Sequence, residues 1–338
     1  MDIVYYRDPH GNFGDDLNAA MWPRLLPSDV LAAEDAILVG IGSLLNAPQF
    51  RKVETVGKRV FVLGTGAAYG RLPEGFRDWT YLAVRGPLTG ALIERPEAAA
   101  TDGAALLATL PELAPVSPRR DAVLFMPHHR TLTNSRWPEA AARAGLEFVD
   151  PRWPVERTME AYGRAELVVA EAMHAAIVAD TLRIPWIPLI ISPEVSVFKW
   201  RDWLGSLELP YRPALLPPSS LLEAQRFGRI RAALGSGGRS VADLDAAAMS
   251  DEALLADHAA RYGEGGPKVG AAKAPTGIKQ LLRPLISAFD GPQTAKAARA
   301  LKIAAAGEAF LSRDAVFADR LARLEAAKSA LIGAIRAG

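Results

Sequence analysis

The chain repeats one unit: a short apolar run, then a stretch with apolar residues at helical spacing. Runs at 3–6, 36–40, 60–64 and 80–84 form a first series, and runs at 122–126, 146–149, 167–170 and 186–190 form a second. Helical patterns such as 87–94, 103–109, 155–164 and 173–183 lie between them. Strands this short and this apolar belong in parallel sheets that helices cover on both faces. The expected fold class is therefore α/β, with two Rossmann-like doubly wound domains. A proline-rich polar segment, 111–120, separates the series and sets the expected boundaries: an N-terminal domain at 1–115 and a second at 120–234.

From 235 to 338 the texture changes to linker and helical extension. Gly235-Ser236-Gly237-Gly238 is a breaker, and 262–277 is rich in glycine, lysine and alanine, as mobile linkers are. Phe317, Leu321, Leu324, Leu331 and Ile335 form a helical stripe suited to packing back on the body.

Composition excludes several function classes. The net charge is +1 over 338 residues, which argues against a broad electrostatic footprint for nucleic acid. There is no cysteine, so disulfides, thiolate zinc sites and a cysteine nucleophile are out. No basic start followed by a long apolar stretch opens the chain, and no run approaches the roughly 18 apolar residues of a membrane span. The expectation is a soluble, cytoplasmic protein.

Chemistry concentrates where strands end. Gly11-Asn12-Phe13-Gly14-Asp15-Asp16 follows the first strand and precedes a helix, an arrangement in which backbone N–H groups and a helix N-terminus can face a ligand. Asp15 and Asp16 also suit the positive end of the helix dipole and could be caps alone. Two further glycine pairs, Gly40-Ile41-Gly42 and Gly64-Thr65-Gly66, do not complete a dinucleotide fingerprint: Leu45 stands where a third glycine should fall. Arg85, in Val84-Arg85-Gly86-Pro87, can hold a phosphate or carboxylate with two parallel hydrogen bonds, or form a surface salt bridge. Asp102 precedes another helical pattern and could cap it or orient Arg85.

In the second series, His128, His129 and Arg130 follow a strand. His174 sits in the first turn of an apolar helix just past the 167–170 run. A lone histidine in an apolar helix is usually a core residue, but a position at a strand's exit suits proton transfer near neutral pH. Lys199 and Arg201 follow the 186–190 strand, where they either neutralise phosphate or form a solvated face.

In their order, Gly-Asn-Phe-Gly-Asp-Asp-Leu-Asn, Val-Arg-Gly-Pro-Leu-Thr, Thr-Asp-Gly-Ala and Met-His-Ala-Ala-Ile-Val-Ala-Asp resemble the polysaccharide pyruvyl transferase family across about residues 1–210. The resemblance implies two Rossmann-like domains facing a cleft, as in GT-B glycosyltransferases. It implies phosphoenolpyruvate as donor, a hexose of a polysaccharide or lipid-linked oligosaccharide as acceptor, a ketal as product, and no metal or organic cofactor. It places His174 as general acid; on the mechanism that follows, Asp16 or Asp102 could orient the acceptor or take its proton. Gly11, Asn12, Gly14, Asp15, Arg85, Asp102, His128, Arg130 and Lys199 would form the substrate site. Members typically carry Arg-Leu-His at the second helix start; here the triplet is Ala172-Met173-His174, leaving Arg130, Lys199 or Arg201 to supply the missing charge.

A lipid-linked acceptor would bring the protein to the inner face of the membrane, and the tail could join protomers of a homo-oligomer. Two other readings compete. A GT-B glycosyltransferase would use a nucleotide-sugar, with Glu194 or Asp202 on the ribose; a non-catalytic scaffold would explain the lost arginine and long tail.

Overall fold

The computed structural model describes residues 1–50, 53–115, 117, 119–236, 241–263 and 288–338. Two parallel sheets organise them. The first contains β1 (Asp2–Val4), β2 (Ala36–Val39), β3 (Arg59–Thr65) and β4 (Thr80–Val84), side by side in that order. The second contains β5 (Ala122–Met126), β6 (Glu147–Phe148), β7 (Ala165–Ala170), β8 (Trp186–Ile190) and β9 (Ala214–Leu215), ordered β6-β5-β7-β8-β9. Every strand pair in both sheets is parallel. Eight of these strands coincide with the apolar runs of the sequence; two-residue β9 is too short to give a periodic signal.

The helices α1 (Phe13–Leu25), α2 (Ser28–Leu31), α3 (Ala47–Phe50), α4 (Pro87–Leu92), α5 (Trp137–Ala144), α6 (Val155–Gly163), α7 (Met173–Thr181), α8 (Val197–Ser206), α9 (Leu221–Ser236), α10 (Leu244–Ala247) and α11 (Asp251–Tyr262) follow in chain order. Helices Gly291–Ala305 and Asp314–Ala337 close the chain. The helical pattern at 103–109 forms a 3-10 coil, Gly103–Thr109, rather than an α-helix. That narrower coil presses its first residue on β3, where a Cβ on Gly64 would come within 2.3 Å of the Gly103 Cα.

Double winding holds for one sheet. The second reverses direction between β5 and β7, whereas the first runs monotonically from β1 to β4 and has no reversal. Strand order is set by where each connection crosses the sheet, which apolar periodicity does not report. Ligands of open parallel sheets bind beyond the carboxyl ends of the strands, at such a reversal. The ends of β5 and β7 are therefore the place to look for a site.

One apolar core passes through both sheets, from Leu17 and Ile37 through Leu124, Val168 and Met173 to Trp186 and Trp203. Within the 111–120 stretch, Leu113 is buried and the Ser117 N–H bonds to the Gly163 carbonyl at 3.1 Å. A second cluster on the outer side of the second sheet packs Phe125, Trp137 and Leu189 against Ala297 and Leu301 of Gly291–Ala305. The stripe of Asp314–Ala337 crosses to the first sheet, burying Leu324, Leu331 and Ile335 with Phe317 and Leu321 partly covered. From 264 on, the glycine- and lysine-rich stretch lies outside the described residues, as do 237–240 of the breaker.

Candidate functional site

Glu171 is the first residue past β7, and its carboxylate binds three strand ends together. Oε2 accepts the His128 N–H beyond β5 at 2.9 Å, and Oε1 accepts the Ser192 N–H beyond β8 at 2.8 Å. Burial pushes its pKa up to about 7, against the pull of those two N–H groups. Sequence reading passed over Glu171; its only signal was an acid placed directly after an apolar strand. His128 is half-buried, its Nδ1 accepts the Arg130 N–H at 3.3 Å, and its ring lies 4.2 Å from that of His129. Burial, then the neighbouring His129, holds its pKa well below the usual histidine range. Arg130 is exposed at the rim, 3.9 Å from Glu194.

His174 is the second residue of α7 and is pressed between the two halves of the chain. Its ring lies on Gly14: a Cβ there would sit 1.9 Å from Nδ1, so the second loop glycine is the space the imidazole occupies. On the other side Nε2 faces Asp102 Oδ2 at 4.0 Å. Both atoms are buried and have no hydrogen-bond partner. The other oxygen of Asp102 accepts the Ala104 N–H at 3.0 Å and caps the 3-10 coil along which α7 packs. Burial lowers the His174 pKa to about 3, helped by the positive charges of Lys199 and Arg85. Burial raises that of Asp102 to about 6, against the Ala104 N–H and the same two cations.

The Gly11–Gly14 loop is not an open anion cradle. Three of its N–H groups serve protein acceptors: Gly11 to the Asp8 carbonyl at 3.0 Å, Asn12 to Asp16 Oδ2 at 3.0 Å, and Phe13 to the Pro151 carbonyl at 2.8 Å. Asp16 thus braces the loop as a cap. The Asn12 amide donates to Asp15, whose buried carboxyl is raised to about 7 by desolvation. The completely buried Asn18, also unread in the sequence, fixes α1 to the end of β2 through the Ile41 N–H and carbonyl at 2.7 and 3.0 Å.

Arg85 is neither a ligand-facing cation nor a surface ion pair. It has no exposed surface, and its guanidinium donates to Asp202 at 2.9 Å, Ser43 at 2.8 Å and the Ala67 carbonyl at 2.6 Å. Gly66 makes the room: a Cβ there would reach 2.3 Å from Arg85 Cζ. Asp202 is equally buried and also accepts from the Thr89 N–H and hydroxyl, so it locks α8 onto the start of α4 and offers nothing to a ribose. The pair acts on the site through its field and by holding the seam.

A small cleft, open to solvent, lies beyond the second sheet's strand ends. His128, Glu171, Ser192, Glu194 and Lys199 line it, with Tyr69 reaching over from the first half. Among the predicted residues the structure brings His174, Gly14, Asp15, Asp102, His128 and Lys199 to one region and leaves Arg130 at its rim. Arg201 turns away, to the Met249 carbonyl at 2.7 Å and Asp251 at 2.6 Å. Among the described residues no group of histidine and carboxylate side chains could hold a metal ion, and no helix is long and apolar enough to cross a membrane.

No family model matches the chain, and no solved structure does. The curated succinoglycan biosynthesis protein ExoV of Rhizobium meliloti (strain 1021) is 38% identical over 234 residues, which cover 68% of this chain and 72% of that protein. At that identity and coverage, the chain belongs to the family of the succinoglycan biosynthesis protein ExoV.

Proposed function

We propose that the protein is a polysaccharide pyruvyl transferase: it moves the pyruvyl unit of phosphoenolpyruvate onto two hydroxyls of a hexose, at the inner face of the membrane when the acceptor is lipid-linked. The observation that carries this reading is His174, held at a helix start with Nε2 facing a buried, unpartnered carboxylate oxygen of Asp102. The kinship with a succinoglycan biosynthesis protein supports a saccharide acceptor.

Ketal formation needs a proton on the methylene carbon of the donor, which makes the adjacent carbon electrophilic. One sugar hydroxyl attacks that carbon, the C–O bond to phosphate breaks, and a second hydroxyl closes the ring. The methyl group keeps one proton and phosphate leaves with the other hydroxyl proton, so the sum is donor plus diol giving ketal plus phosphate. His174 delivers the proton, which Asp102 holds beside it at mildly acid pH. The anionic donor raises the proton affinity of the imidazole as it binds.

The test is phosphate release from phosphoenolpyruvate with and without lipid-linked or polymeric hexose, with mass spectrometry for a pyruvyl ketal. Acceptor-dependent release is expected, reduced in His174→Ala by about two to four orders of magnitude. A folded His174→Ala protein with full turnover removes the residue from the mechanism. Thermal protection by nucleotide-sugars, with none by phosphoenolpyruvate, would instead make the protein a glycosyltransferase.

A further inference from the structure

We propose that Lys199 is the phosphate-binding cation of the cleft and receives the phosphate group of the ligand directly. This deepens the pyruvyl transferase reading and rests on it for the donor's identity; the anion site itself rests on geometry. Lys199 lines the cleft and is half-buried, yet among the described residues no carboxylate lies within 4.0 Å of its ammonium. Its one described side-chain partner is the face of Tyr69, 5.3 Å away.

Both carboxylates in the cleft wall are already committed. Glu171 is held by the His128 and Ser192 N–H groups, and Glu194 is paired with Arg226 at 3.2 Å. Each of these two carboxylates has its own partner; the Lys199 charge reaches Asp15 and Asp102 only through space, with no ion pair. The other cations named by the sequence are spent elsewhere: Arg85 on Asp202, Arg201 on Asp251, and exposed Arg130 beside Glu194.

Position makes the vacancy more telling. Ser196 caps α8 by accepting the Lys199 N–H at 3.3 Å, so the ammonium stands in the first turn of a ten-residue helix. A cation there opposes the helix dipole, which favours negative charge at that end. The start of α7 reaches the same cleft through Met173, and the Ser192 and Ser196 residues line it beside the lysine. A cation with no carboxylate within 4.0 Å, a helix start and hydroxyl-bearing residues around one small cleft make a setting for a phosphate dianion. The completely buried, unpartnered Oδ2 of Asp102 and its neighbour His174 place proton chemistry next to it.

The source of that phosphate group is a phosphomonoester such as phosphoenolpyruvate or the diphosphate of a lipid-linked sugar. Calorimetric titration of the full chain with inorganic phosphate, phosphoenolpyruvate, pyruvate and pyrophosphate separates them. Lys199→Gln is expected to weaken phosphate and phosphoenolpyruvate binding at least tenfold, with Lys199→Arg restoring most of it and pyruvate binding unmoved. Pyrophosphate binding tighter than phosphoenolpyruvate, and equally dependent on Lys199, would keep the site and assign it to the acceptor. Because the lysine opposes the dipole, unliganded Lys199→Gln should melt no lower than the parent. Undiminished phosphate binding by Lys199→Gln, no phosphate binding by the parent, or loss in Arg130→Gln in its place overturns the proposal. Lys199-dependent phosphate binding without ketal formation would leave the anion site standing and remove the reaction; ketal formation with normal binding by Lys199→Gln would do the reverse.

Discussion

His174 Nε2 and Asp102 Oδ2 face each other at 4.0 Å across the seam between the two sheets, each without a hydrogen-bond partner. Neither half of the chain contains this pair by itself. Burial makes the neutral forms favourable at both ends, so a single proton suffices for the two groups at mildly acid pH.

That sharing fixes the direction of a pH profile. With Asp102 titrating near 6 and His174 near 3, the pair carries one proton between those values and none above them. If it supplies the catalytic proton, kcat/KM falls as pH rises through about 6. Asp102→Asn leaves only the depressed imidazole, so the limb should move to lower pH and activity at pH 7 should drop. An Asp102→Asn profile that superimposes on the parent's would end the coupling.

Gly14 and His174 compete for one volume. Gly14→Ala places a methyl group inside the imidazole and should destabilise by about 1–3 kcal/mol, the usual cost of overpacking. In a His174→Ala background the same change should cost far less, because the ring is gone. Denaturant melts of the four proteins give the coupling; equal costs in both backgrounds would place the strain elsewhere.

The Arg85–Asp202 bridge is wholly buried, so removing one partner strands the other. Asp202→Ala should destabilise by about 3–5 kcal/mol, and Arg85→Met/Asp202→Leu by less than Asp202→Ala alone. The Asp202 change also frees the Thr89 N–H and hydroxyl at the start of α4. A loss under 1 kcal/mol in Asp202→Ala would show that water replaces these bonds.

Asp15 predicts a stability profile of its own. Its folded-state pKa, about 7, lies above the ordinary 3.8, so the folded protein binds this proton more tightly than the unfolded chain does. Its contribution is full below pH 4 and is lost as pH rises through about 7, with an upper bound of ~4 kcal/mol. Asp15→Asn mimics the protonated form, and its stability relative to the parent should grow between about pH 4 and pH 7 and level off above. A constant difference over that range would mean Asp15 is not held protonated.

Apolar periodicity alone determined eight of the strands, the α/β class, and the strand-end placement of His128 and His174. Those features are local: burial on two faces writes itself into four or five consecutive residues, and a histidine after such a run must stand at a sheet's carboxyl edge. Only the tertiary structure decided which edges meet. It set the one-way order of the first sheet, the reversal at β5 and β7, and the contact of Gly14 with His174. It also hid Arg85 beneath Asp202, 117 residues away in sequence, and assigned Asp16 to a cap and Glu171 to three strand ends. Crossover direction and side-chain packing settle those pairings, and both depend on elements distant in the chain, so no window of sequence carries them.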